Sequence, residues 1–358
     1  MEENDLLWVL GSFPQPVFLT DGETVQWCNA AAAAVLEPGA SMRPMLQGTT
    51  FGLWPRRGTL RLSLPFGGAL CDFSVRAMER GLLFLADAPH EPSDAAGAAL
   101  KASAILRRPL QNVMTAAREL FDRVEDLEEP TTMAVSSELN RGLYQLLRLC
   151  GQLTTGGELL AGTCKPERRR TDLTALLDGI ADEVAPLLER AGRRFVYRGL
   201  PAVVTADADA QLVERAVYNL LSNALAFTPA GGEICLSLER REQSLLIRVT
   251  DTGEGFPESV LGTLFDRYSL IPVGDPRWGA GYGLPMVREI ARLHGGTLMA
   301  SNVPTGGADV MFTLSLVRRP AAVRTAQQRF DYLSGYRHAL VELSDSLSAS
   351  LYDPSTVS

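Results

Sequence analysis

Two stretches of heptad spacing constrain this chain more than anything else in it. Leu106, Leu110, Val113, Ala117, Leu120, Val124 and Leu127 recur at alternating intervals of four and three, and Leu139, Leu143, Leu146, Cys150 and Leu153 repeat the pattern beyond a break at Glu129-Pro130-Thr131. Such intervals return a side chain to the same stripe of a helix, so each stretch predicts a helix with one apolar seam. Joined by a short turn, the two make an antiparallel helical hairpin over residues 99–164. One hairpin alone leaves much of each stripe in water. Either a neighbouring domain of the same chain caps it, or a second copy completes a dimeric four-helix bundle, which predicts a homodimer.

The hairpin uses only part of the chain. With 358 residues, 46% hydrophobic and 21% charged, there is material for two or three ordinary cores. Lys and Arg number 34 against 42 Asp and Glu, a net charge of -8, so the long-range field repels nucleic acid and anionic membrane. No stretch approaches the roughly 18 to 20 uncharged apolar residues that cross a bilayer. The opening MEENDLLWVL is acidic where a signal peptide is basic. These features predict a cytoplasmic protein without membrane insertion or nucleic-acid partner. The cysteines, Cys28, Cys71, Cys150, Cys164 and Cys235, are odd in number and scattered, which fits reduced thiols better than a disulfide framework or a zinc site.

Residues 1–86 read as a small α+β domain: strands at Pro16–Leu19 and Thr24–Trp27 around Asp21-Gly22, an alanine-rich helix over Asn29–Leu36, a hairpin of Thr59–Leu64 and Ala69–Val75, and a last strand at Gly81–Leu85. Residues 87–98, rich in proline and small polar residues, read as a linker. From 165 to 317 helices and strands alternate, predicting an α/β sandwich with helices over one face of a mixed sheet. The remaining 318–358 holds one amphipathic candidate helix, Arg324–Leu347, and a polar end.

Within 165–317 three elements carry candidate chemistry. Asn219 and Asn223 lie one turn apart on a long helix, Ala210–Phe227, where neutral amides can offer oxygens to a hard cation and N–H groups to phosphate. A strand ends in Asp251-Thr252-Gly253-Glu254-Gly255-Phe256, a carboxylate beside glycines that allow close backbone approach to a flat ring. Gly279-Ala280-Gly281-Tyr282-Gly283-Leu284 opens the next helix, and backbone N–H groups at a helix N-terminus attract anions.

In this order and spacing, "ERAVYNLLSNALAFTPAGG", "VTDTGEGFP", "LFDRY" and "GAGYGLPMVREIARLHGGTLMASN" resemble the N, G1, F and G2 boxes of the sensor histidine kinase ATP-binding domain, a fold shared with gyrase and MutL. The resemblance implies ATP and Mg²⁺ as cofactors. Asn223 would hold the metal against the phosphates and Asn219 would support it. Asp251 would bind the adenine amine, with Gly253 and Gly255 shaping its pocket. Gly279, Gly281, Gly283 and Leu284 would form the phosphate side of a lid anchored by Phe265. Where the family carries a basic residue three places after the second Asn, this chain has Ala226; Arg267 or Arg277 are the candidates to replace it. The N-terminal unit, through "FLTDGETVQWCNAAAAAVL", resembles a PAS sensor domain.

The helical hairpin resembles the dimerisation and phosphotransfer domain of the same kinases. "SAILRRPLQNVMTAAREL" aligns without a gap on their H box, Ser-His-Glu-Leu-Arg-Thr-Pro-Leu, but the histidine position is Ala104 and the acidic position Ile105. Phosphorylation of histidine needs a ring nitrogen as nucleophile and a carboxylate to orient it; a methyl and a sec-butyl group supply neither. Of the three histidines, His294 reads as a helix-end residue, His90 lies in the linker and His338 in the tail. The chain is therefore expected to be an ATP-binding pseudokinase that signals through a response regulator or another protein. The competing expectation is an active kinase or phosphatase acting on a partner.

Overall fold

The computed structural model describes residues 3–46, 59–87, 95–124, 130–261, 264–265, 283–317 and 336–354. Helix α1 (Glu3–Gly11) leads into β1 (Val17–Thr20) and β2 (Val25–Cys28). The reversal between the strands is made by Asp21, whose carboxylate accepts the N–H groups of Glu23 and Thr24 at 2.8 and 2.7 Å. Asn29 caps the four-residue α2 (Ala30–Ala33) by accepting from Ala32 N at 3.0 Å. The same amide donates to the carbonyls of Phe13 and Gln15 at 3.0 and 2.8 Å, tying the chain after α1 to the start of β1. Strands β3 (Thr59–Phe66), β4 (Ala69–Met78) and β5 (Gly81–Ala86) follow. Gly81 takes a φ of 148° with its Cα so near Thr20 O that a Cβ would stand 2.2 Å from it.

The helical pair is α3 (Ala95–Val124) and α4 (Pro130–Gly151), continued by a π-helical turn, Gln152–Gly156, and α5 (Gly157–Leu160). α3 begins at Ala95, inside the stretch expected to be linker. The seams divide. Leu110, Ala117 and Leu143 are buried, joined by Met114, Phe121, Tyr144 and Leu147, while Leu106, Val113, Leu120, Leu139 and Leu146 are exposed. Each helix is wide enough to present two apolar stripes, and the domain that follows covers only one. Leu127 lies outside the described residues.

That domain contains β6 (Arg169–Asp172), α6 (Leu173–Arg190), β7 (Arg194–Arg198), β8 (Thr205–Ala208), α7 (Ala210–Phe227), β9 (Glu233–Arg240), β10 (Ser244–Asp251), α8 (Glu258–Leu261), α9 (Gly283–Leu293), β11 (Leu298–Asn302) and β12 (Ala308–Ser315). β6, not expected from the sequence, pairs with β8 in a separate two-stranded sheet. The expected strand at Ala202–Thr205 sits three residues later. α6 and α7 start on Asp172 and Asp209, whose carboxylates accept from Ala175 N and Leu212 N at 3.0 and 3.2 Å. Their apolar faces, with that of α9, join the inner residues of β9, β10 and β12 and the buried side of the helical pair in one core.

Among the described residues the main sheet has ten strands in the order β2-β1-β5-β4-β3-β11-β12-β10-β9-β7, with only β7 and β9 parallel. It runs unbroken from the N-terminal unit into the C-terminal domain, because edge strand β3 pairs antiparallel with edge strand β11, Leu62 opposite Met299 and Leu60 opposite Ser301. Leu246, Met299 and Met311 complete the core built on Phe18, Leu60, Leu62, Leu64, Phe73 and Phe84.

Of the tail helix expected over Arg324–Leu347, residues 324–335 lie outside the described residues. The remainder forms only a short helix, α10 (His338–Glu342), followed by turns and a 3₁₀ turn at Ala349–Tyr352. It is buried rather than solvated: Leu340, Leu343, Leu347 and Tyr352 sit in the main core. Tyr352 donates its hydroxyl to Leu340 O at 2.7 Å and packs edge-on against Tyr144, and Asn140 donates to Tyr352 O at 2.9 Å.

Candidate functional site

The start of α9 meets the middle of α7, and the turn after β10 meets the end of α7. Asn219 is buried and donates to Arg215 O at 2.8 Å, which leaves its Oδ1 facing Gly283. A Cβ on Gly283 would stand 3.5 Å from Asn219 Oδ1 and 3.6 Å from Asn223 Nδ2, so the first residue of α9 lies against both amides. The two amide oxygens beside a helix N-terminus are a donor set that suits a hard cation bridged by an anionic ligand. Leu284 is buried beneath this corner and Phe265 is wholly buried. Gly279 and Gly281, with Arg267 and Arg277, lie outside the described residues.

Asp251 is the last residue of β10. Its Oδ1 accepts from Gly253 N at 2.8 Å and Ala308 N at 3.2 Å. Burial pushes its carboxyl above the ordinary carboxylate range, against the lowering effect of those two N–H groups. The glycines have steric reasons to be there. A Cβ on Gly253 would meet Phe227 O at 2.4 Å, and Gly255, at φ 73°, leaves only 2.8 Å to Asn302 Oδ1. A fixed acceptor at the rim of a backbone-lined slot is suited to reading a flat donor group.

Sequence reasoning passed over two residues that shape this slot. Asn302, at the end of β11, accepts from Phe256 N at 2.7 Å and donates to Phe256 O at 2.8 Å, clamping the loop after Asp251. Gly307 lets β12 approach so closely that a Cβ would fall 1.8 Å from Asp251 O. The contact of Gly307 with Asp251, 56 positions away, leaves no local signal in the sequence.

The histidines of the described residues are occupied structurally. His294 Nε2 accepts from Asp209 N at 3.0 Å while Nδ1 lies 2.8 Å from Ile290 O, which joins the end of α9 to the start of α7. His338 faces Glu214 at 3.1 Å. His90 lies outside the described residues. On α3, Ser103 is buried and Ala104 and Ile105 are exposed, with Ile105 at 72%. No group of three or more His, Cys, Asp or Glu among the described residues is placed to hold a metal ion.

Residues 208–318 match the histidine kinase-, DNA gyrase B- and HSP90-like ATPase family, so the corner formed by Asn219, Asn223, Asp251 and Gly283 lies in an ATP-binding domain of that class. Similarity to curated proteins extends beyond that domain. The chain is 27% identical over 220 residues to the sensor protein KdpD of Clostridium acetobutylicum, covering 58% of this chain and 23% of that one. It is 35% identical over 147 residues to the sensor protein CreC of Escherichia coli, covering 41% and 30%. It is 26% identical over 224 residues to the adaptive-response sensory kinase SasA of Rippkaea orientalis, covering 60% and 57%. Over these stretches the chain is similar to sensor histidine kinases, and residues 208–318 carry their type of ATPase domain. It spans less than two thirds of the length of each of these relatives.

Proposed function

We propose that this protein is a dimeric, ATP- and Mg²⁺-binding signalling protein on the histidine kinase plan that does not phosphorylate itself at the usual position. The observation that carries the reading is the pair Ala104–Ile105. Both stand exposed on α3 just beyond buried Ser103, on the side where an acceptor would be reached, and neither has an atom that attacks phosphorus or accepts a proton. The nucleotide corner, in contrast, keeps its amides, its carboxylate and its close-packed glycines.

In this reading Asn223, supported by Asn219, holds Mg²⁺ against the phosphates, and Asp251 accepts the adenine amine. Bound Mg²⁺ would neutralise charge on the phosphate chain. Ala226 supplies no cation one turn beyond Asn223, where the family carries one, which favours binding over transfer.

Dimerisation is supported by the stripe that remains exposed among the described residues. Leu106, Val113 and Leu120 of α3 and Val135, Leu139 and Leu146 of α4 are all between 45% and 65% exposed. A groove on α4 is lined by Val135, Glu138, Leu139, Gly142, Leu143 and Leu146. Repeats of seven on both helices suit a second copy of the same pair. The N-terminal unit acts as a PAS-like sensor, and the output is a response regulator or another signalling protein. Five cysteines that form no disulfide with one another fit a reducing compartment, which we take to be the cytoplasm. No helix among the described residues is long and apolar enough to cross a membrane. The test is incubation with γ-labelled ATP beside a calorimetric titration: binding without label on the chain supports the reading, and acid-labile label overturns it.

A further inference from the structure

The N-terminal unit touches the nucleotide domain directly, without passing through the helical pair. At the β3–β11 seam two charged side chains of the N-terminal unit reach past the sheet to the other domain. Arg61 of β3 is wholly buried. Its Nη1 donates to Asp87 Oδ1 at 2.7 Å and to Ser74 Oγ at 2.8 Å, its Nη2 pairs with the other oxygen of Asp87, and its guanidinium lies over the Phe265 ring with Cζ 5.9 Å from the centroid. Asp72 of β4, with its side chain 10% exposed, accepts from Ser63 through one oxygen and from Arg288 Nη1 of α9 through the other.

Arg288 joins the two contacts. The same Nη1 lies 3.5 Å from Phe265 O, and Nη2 donates to Glu289 at 3.2 Å. Phe265 therefore has its ring under one arginine and its carbonyl against another, and residues of the N-terminal unit hold both arginines. Arg288 stands five positions along α9 from Gly283, about 7.5 Å of helix from the residue that abuts Asn219 and Asn223. Ions so far withdrawn from water persist only with partners, which makes Asp72 a geometric constraint on α9 rather than a surface decoration.

We propose that Arg61 and Asp72 are positioning residues for the nucleotide site: through Phe265 and Arg288 they fix where α9 begins, so the state of the N-terminal unit sets nucleotide affinity through the sheet edge. The inference rests on the reading that this corner takes ATP. A signal through the helical pair would not use this route. A ligand or partner that shifts β3 and β4 by a fraction of an ångström changes affinity at Asn219 and Asn223, and by reciprocity ATP changes the affinity of that ligand.

The experiment is titration of the full-length chain with Mg-ATP by calorimetry. Asp72→Asn and Arg61→Lys, the second keeping charge but losing the planar face over Phe265, should each weaken binding about 5-fold or more. Exchanging the charges in Asp72→Arg with Arg288→Asp should bring the affinity back toward wild type from the loss seen with Asp72→Arg alone. Asn29→Ala removes hydrogen bonds inside the N-terminal unit at β1, three strands from the seam, and should lower thermal stability without moving the ATP affinity. Wild-type affinity in both Asp72→Asn and Arg61→Lys overturns the inference, as does an equal loss in Asn29→Ala. Failure of the wild type to bind ATP instead rejects the reading of the corner itself.

Discussion

Arg148 of α4 donates to Ser222 Oγ of α7 across 2.9 Å, one residue ahead of Asn223, while Glu342 and Asp345 of the C-terminal segment supply its counter-charges. Three separate parts of the chain thus meet at one buried guanidinium. Arg215 faces the same Glu342 at 3.8 Å, and Gln145 and Arg141 donate to the carbonyls of Ser344 and Leu347 at 3.2 and 3.3 Å. The C-terminal segment is a wedge that ties the helical pair to the nucleotide domain. Arg148 and Glu342 are 8% and 2% exposed, so removing one partner strands a charge in the core. Glu342→Gln or Arg148→Ala should cost about 3–5 kcal/mol, measured by urea denaturation; a loss under about 1 kcal/mol would mean that water reaches the cluster.

Asp251 makes nucleotide affinity depend on pH. An adenine amine needs the ionised carboxylate as acceptor, and burial has raised this group above 3.8. Affinity should therefore decline, as pH falls, at a higher pH than an exposed aspartate would give. For the empty protein the sign reverses: a raised folded-state pKa favours the fold below the unfolded value and withdraws that stability as pH rises through the folded one. Asp251→Asn keeps an oxygen for Gly253 and Ala308. It should leave the empty protein as stable as wild type or more so at neutral pH, while weakening ATP binding by about 1.5–3 kcal/mol. Paired thermal melts and titrations across pH check both signs.

The divided seams predict two classes of helical mutant. Leu139→Glu with Leu146→Glu alters the exposed stripe and should convert dimer to folded monomer in light scattering. Leu110→Ala opens a cavity on the buried stripe and should cost about 2–5 kcal/mol without changing the mass. A wild type that is monomeric at tens of micromolar would reject the dimer.

Gly307→Ala should damage the nucleotide corner from outside its motifs. Its Cβ would overlap Asp251 O, so the loop carrying Asp251 must move, and ATP affinity should drop at least tenfold while the far-UV circular dichroism is retained. Unchanged affinity would show that the corner tolerates displacement of Asp251.

What the sequence revealed and concealed follows from the range of each interaction. α7, with Asn219 and Asn223 one turn apart, is a local pattern whose bounds, Ala210–Phe227, were read to the residue, while its cap, Asp209, was not singled out. The G1 glycines were readable from their motif alone; the contacts that require them, Gly253 with Phe227 and Gly255 with Asn302 and Gly307, are distant in sequence. The β3–β11 pairing joins residues some 240 apart, and nothing in Leu60–Leu62 distinguishes an edge strand that finds a partner from one that faces water. The heptads were correctly periodic, but period fixes a stripe and not its occupant: Leu110 met the following domain and Leu106 did not. In the tail, amphipathicity pointed to one helix through Leu347. The structure ends it at Glu342, where Arg148 and Arg215 converge on the carboxylate and the chain turns to bury Leu343 and Leu347.

The central claim is that this chain binds ATP without passing its phosphate to itself. The most direct measurement incubates the full-length protein with γ-labelled Mg-ATP at concentrations that saturate the site in a parallel titration, then separates chain from nucleotide under neutral and acid conditions. The account predicts saturable binding, lost in Asn223→Ala, with no label on the wild-type chain. Label that survives neutral separation, vanishes in acid and depends on Asn223 would contradict it.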